Sequence, residues 1–92
     1  MENTDIPYIE KAFVVSTSHI KKETDSFLQT TDQLIVYPKE GGYFVYINSI
    51  MNAQEIPEEL LGLISKAEKL ECCWLILDNA AKIYEGLPTF NW

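Results

Sequence analysis

The sequence predicts an α+β domain: a two-layer sandwich in which an antiparallel sheet, in the βαββαβ order of ferredoxin-like folds, carries two helices on one face. Three observations lead there. Residues 32–47, DQLIVYPKEGGYFVYI, set two runs rich in β-branched and aromatic side chains on either side of Pro38-Lys39-Glu40-Gly41-Gly42. This is a hairpin signal, because the proline cannot donate to a continuing ladder and the glycines can take the positive φ of a tight reversal. Two further runs, Ala12-Phe13-Val14-Val15 and Cys73-Trp74-Leu75-Ile76-Leu77, are apolar on both faces of a pleat and read as interior strands. Two segments of helical period flank the hairpin, and a hairpin alone is only marginally stable in water, so strands and helices must combine.

Taken in order, residues 1–7 are polar and expected to fray, with Pro7 setting an extended entry. The first strand is expected within residues 8–17. Ser16-Thr17-Ser18-His19-Ile20-Lys21-Lys22-Glu23-Thr24 is a polar exit into a helix of about three turns, whose face is Thr24, Phe27, Leu28 and Thr31 at i, i+3, i+4 and i+7. Its three threonines make it depend on packing rather than propensity. After the hairpin, residues 48–55 read as a loop. The second helix is expected over residues 57–70, with Pro57 at its first position and Glu58 and Glu59 where negative charge meets the positive end of the dipole. Leu60, Leu63, Ile64, Ala67 and Leu70 form its apolar stripe. Residues 73–77 return as a strand, Asp78-Asn79-Ala80-Ala81 as a turn, and Lys82-Ile83-Tyr84 as a short fifth edge strand protected by Lys82. Right-handed crossovers then imply sheet order 4-1-3-2; the competing arrangement is a mixed sheet with the same elements in another order.

The chain has 92 residues, one domain by length, and a domain of this size buries roughly 60 to 65% of its unfolded surface. Fourteen carboxylates face seven lysines with no arginine, for a net charge of −7. That balance disfavours direct nucleic-acid binding and allows a basic protein partner, although solubility alone also accounts for it. Cys72 and Cys73 are adjacent, point to opposite sides of an extended chain and read as buried free thiols; no spacing suggests a metal or cofactor. No targeting signal or membrane-spanning run is visible, so a reducing cytoplasm is the default expectation.

STSHI at residues 16–20, the LIVYPKEGGYFVYI hairpin, CCWLILD at residues 72–78 and the closing EGLPTFNW resemble a family of small uncharacterised bacterial domains carried on plasmids, prophages and similar mobile DNA. The similarity covers most of the chain beyond Ala12, and Gly-Leu-Pro-Thr-Phe-Asn-Trp is its most specific part. Members usually open the first helix with Thr-Pro-Glu, where this chain has Lys21-Lys22-Glu23, a poorer cap. The resemblance implies a bacterial mobile-element origin and carries no activity from which site residues could be transferred.

Two classes of function are weighed. His19, the single histidine, lies near Ser16, Ser18 and Asp25, from which a ligand-binding or hydrolytic site can be drawn, but there is no nucleophile elbow and no glycine-rich oxyanion loop. Hydrogen bonding at the helix entry explains the same residues. The supply of rings is more suggestive. Tyr37, Tyr43, Phe44, Tyr46, Trp74, Phe90 and Trp92 exceed what one helix-covered sheet face needs, and the other face must be met by the tail (residues 85–92), a second copy or a target; tail cover together with a self-association or partner surface is the favoured expectation. The expected reading is a non-enzymatic acidic interaction module, with Glu40, Tyr43, Tyr46, Glu58, Glu59, Trp74, Phe90 and Trp92 as its contact residues. A host nucleic-acid-binding defence protein is the target class suggested by the charge together with the resemblance.

Overall fold

The computed structural model of the protein describes residues 9–50 and 52–92. The expected fraying of residues 1–7, and Tyr8 at the start of the expected first strand, lie outside these. Four strands, β1 (Ala12–Ser16), β2 (Ile35–Lys39), β3 (Gly42–Tyr46) and β4 (Trp74–Asp78), form one sheet, and two helices, α1 (Lys22–Thr30) and α2 (Glu58–Lys69), complete an α+β fold. The helices and the hairpin fall where their periodicity and turn chemistry put them.

The sheet order is not the expected 4-1-3-2. It is β1-β4-β3-β2, and the sheet is mixed, because β4 pairs parallel with β1 and antiparallel with β3. This is the competing arrangement, with β1 at an edge rather than inside. The physical reason lies in side-chain bulk. Both β1 and β4 are apolar on both pleat faces, so period alone ranks neither as central. On the face turned from the core, β4 carries Trp74 and Ile76, which lose more surface when flanked on both sides. There β1 carries only Ala12 and Val14, and Val14 is left 40% exposed.

One side of the sheet builds the core. Phe13, Val15, Tyr43, Val45, Leu75 and Leu77 meet Leu28 of α1 and Leu60, Leu63, Ile64 and Ala67 of α2. Leu70, expected on the α2 stripe, is exposed instead. It caps the helix, and the chain then reverses through Glu71 at φ 62°, with the Glu71 and Cys72 amides donating back to Glu68 and Ala67. That bonding pattern is the Schellman stop, made here without the usual glycine.

Other local expectations are narrowed. Pro38, Lys39 and Gly42 belong to the strands rather than the turn, so the reversal is only Glu40-Gly41, with Gly41 at φ 81°. A proline inside β2 is tolerated because β2 is an edge strand. The loop after β3 contains two 3-10 turns, Ile47–Ser49 and Ala53–Glu55. Cys72 and Cys73 are free but half-buried rather than buried. Residues 82–84 form no fifth strand: the Tyr84 amide is taken by the His19 ring, and the Tyr84 ring packs on Phe13 at 5.8 Å. Among the described residues no helix is long and apolar enough to cross a membrane.

Candidate functional site

The sheet register builds an aromatic face on the side away from the helices. One row across the sheet is Val14, Ile76, Phe44 and Tyr37; the next is Ala12, Trp74, Tyr46 and Ile35. Trp74 sits at its centre, with ring centroids 4.9 Å from Tyr46, 6.3 Å from Tyr37 and 6.4 Å from Phe44. Its indole N–H donates to Glu10 at 2.9 Å, which holds the ring's orientation. Val14, Ile35 and Tyr37 are 40, 46 and 54% exposed, so the patch is contiguous and open. A third row closes one end: Lys39 reaches across the bare Gly42 to Asp78 at 2.8 Å. The Asp78 carboxyl is held below its ordinary range by the Lys39 ammonium and by the Ala80 N–H.

Contrary to the favoured expectation, the tail does not cover this face, because its hydrogen bonds tie it elsewhere. It runs past the end of β1, where the Phe90 amide donates to the Ser18 carbonyl and the Trp92 indole to the Ile20 carbonyl, both at 2.8 Å. Lys21 lies over the Phe90 ring at 5.6 Å. His19 is the anchor. It is 1% exposed; its Nε2 accepts from the Tyr84 amide at 3.1 Å, which leaves the proton on Nδ1 to be donated to the Pro88 carbonyl at 2.7 Å. Ser16, also buried, spends its hydroxyl oxygen as a cap on the Ser18 amide. Both imidazole nitrogens thus hold backbone, and neither is turned to a serine. Among the described residues no three His, Cys, Asp or Glu side chains are grouped to hold a metal.

The model of a family of unknown function, DUF5983, over its C-terminal domain, matches residues 12–92. The chain belongs to this family. No curated protein and no solved structure matches it.

Within this DUF5983 domain the expected contact residues do not form one surface. Tyr46 and Trp74 meet on the aromatic face. Tyr43 has the opposite parity on β3 and lies in the core, 8% exposed, with its hydroxyl donated to Asp25; burial, and then that hydrogen bond, push its pKa up. Glu40 is exposed at the hairpin tip, Glu58 is exposed at the start of α2, and Phe90 and Trp92 are in the tail. Val14, Ile35 and Ile76 complete the face and were not singled out from sequence. Counting parity through the hairpin places Ile35 and Tyr37 beside Phe44 and Tyr46, but aligning β1 with them requires the sheet order.

Glu59 has a role that local reasoning missed. It projects from the first turn of α2 to the start of α1, where it accepts from the Lys21 amide at 2.9 Å and from the Thr24 hydroxyl. A residue of one helix thus supplies the cap that Lys21 itself does not. Burial raises the Glu59 pKa, but the bonds from Thr24 and Lys21 outweigh it and leave it below the ordinary 4.5. A depressed folded-state pKa means the contribution is complete above the unfolded value and is lost as pH falls through the folded one. Glu59→Ala is therefore expected to cost about 1–2 kcal/mol at neutral pH, the scale of a lost helix cap. The deficit relative to the parent should shrink on acidification below the unfolded carboxyl pKa, as read by urea unfolding at several pH values.

Proposed function

We propose that this domain is a non-enzymatic protein-interaction module whose contact surface is the open aromatic face of its sheet. The observation that carries the reading is the contiguous, uncovered set of rings around Trp74, far more apolar surface than a lone exposed side chain would need explained. The partner fits a basic protein better than a second copy, because two chains of net charge −7 repel each other. Together with the bacterial mobile-element origin implied by the sequence resemblance, that charge makes a host nucleic-acid-binding defence protein the favoured target. The alternative, a ligand-binding or hydrolytic site at Ser16, Ser18 and His19, is the weaker reading. His19 spends both nitrogens on the tail, which leaves no base to activate a hydroxyl.

The test is affinity capture from bacterial lysate with the parent and a Val14→Thr/Tyr37→Ser double variant, both changes lying on the open face and outside the core. A protein retained by the parent should bind the variant at least about tenfold more weakly, as for loss of an interface anchor. Its retention should fall with added salt. Equal retention by both forms would refute the surface assignment, salt-independent binding would refute acidic steering, and a dimer in sedimentation would replace the basic partner by a second copy.

A further inference from the structure

On the helix side of the sheet, at the end where β1 and β4 finish and the hairpin turns, lies a cavity of about 470 Å³. Its volume is in the range that holds a small ligand or one large side chain. It is lined by Asp25 and Gln29 of α1, by Lys39 and Asn79, and by Phe90 and Trp92 of the tail. Three features define what it can hold. The two rings stand on a tail tied down at the Phe90 amide and the Trp92 indole, each donated to a backbone carbonyl; Trp92 remains 54% exposed, and Phe90, half-buried, has Lys21 over one face. The Asp25 carboxylate is oriented by the Tyr43 hydroxyl on one oxygen at 2.8 Å and by the Gln29 amide on the other at 3.1 Å. Each carboxylate oxygen has a second lone pair to offer. Lys39, the one cationic residue of the lining, directs its ammonium to Asp78 and to the Glu40 carbonyl, in the row that closes the aromatic face, so its charge is already matched.

A fixed carboxylate and two rings lining one cavity, in a chain of net charge −7, disfavour anions and select a cation. Between cations the geometry favours a planar one. A guanidinium is weakly hydrated, stacks on an aromatic face and donates two parallel bonds to a carboxylate, whereas an ammonium is a compact, strongly hydrated point charge. The chain contains no arginine that could fill the cavity itself. We infer that this cavity binds a guanidinium group, seated against Phe90 and Trp92 and hydrogen-bonded to Asp25. The site lies away from the aromatic sheet face and stands or falls independently of the interaction proposed there.

The experiment is an amide and indole NMR titration of the full chain with N-acetyl-arginine methylamide, free arginine and methylguanidinium, against N-acetyl-lysine methylamide at matched ionic strength. Saturable shifts are expected at Asp25, Gln29, Asn79 and the Trp92 indole, with a Kd on the order of 1 mM, as befits one charged group. The lysine compound should bind several-fold more weakly. Asp25→Asn, which keeps an acceptor for Tyr43, should weaken binding about tenfold, the cost of one charge-assisted contact. Glu23→Gln, the same charge change on the same helix outside the cavity, should leave it unchanged. Tighter binding of free arginine than of the blocked form would assign the site to a free guanidino compound, and the reverse to an arginine side chain within a polypeptide. The inference is overturned if no saturable shift appears, if the lysine compound binds equally, or if Asp25→Asn and Glu23→Gln behave alike.

Discussion

Gly42→Ala is expected to destabilise the domain by about 3 kcal/mol or more, above the usual cost of overpacking by one methyl. A Cβ at this position would lie 1.7 Å from the Leu77 carbonyl oxygen and 2.6 Å from its carbon, both backbone atoms of β4. No rotamer change relieves such a clash, so either the hairpin or β4 must shift. The shift would also disturb the Lys39–Asp78 pair, which spans the glycine. For a domain of this size the melting temperature should fall by roughly 15 °C, measured by circular dichroism. The internal control is Gly62→Ala on α2, where a Cβ meets open space and the helix gains propensity; it should be neutral or slightly stabilising. A Gly42→Ala melting temperature within a few degrees of the parent would mean that the hairpin end is not held against β4 as described.

His19→Ala should have the next largest effect, about 2–4 kcal/mol, combining a cavity with two backbone groups left without partners. The ring is fully packed, and its removal strips a donor from the Pro88 carbonyl and an acceptor from the Tyr84 amide. Because these two contacts fix both ends of the segment leading to Phe90 and Trp92, the tail should loosen as a unit. Hydrogen exchange at Tyr84 and Phe90 is expected to accelerate well beyond that at Val45 or Leu75 in the sheet, and Trp92 emission should shift to the red. His19→Asn offers a shorter amide that can place a donor and an acceptor, so partial rescue of protection is the expected companion result. Unchanged exchange at Tyr84 in His19→Ala would remove the anchoring role and reopen a chemical one.

These two residues illustrate what could be read before folding and what could not. Gly42 reads as a turn former in the sequence, and it does adjoin the turn, but its necessity comes from Leu77, 35 positions away in sequence. His19 was placed correctly after the first strand, beside Ser16 and Ser18. Its partners lie 65 and 69 residues downstream, beyond any local pattern, so the neighbouring serines suggested a chemistry that its hydrogen bonds do not serve. The surplus of rings was legible as a surplus. Parity along the hairpin separates Tyr43 from Phe44 and Tyr46, but the choice of which set meets the helices depends on what packs above.

Local pattern was sufficient for the order of the six elements, for α2 with its acidic first turn and for the hairpin about Gly41, because each follows from periodicity, turn stereochemistry or charge within a short stretch. Strand order, the central place of β4, the tail's anchorage and the capping of α1 by Glu59 were settled by the folded chain. Two strands with the same two-sided apolar pattern are equivalent until neighbours compete to bury Trp74 and Ile76 rather than Ala12 and Val14. Buried polar groups, likewise, find whichever partner the packing brings within hydrogen-bond reach.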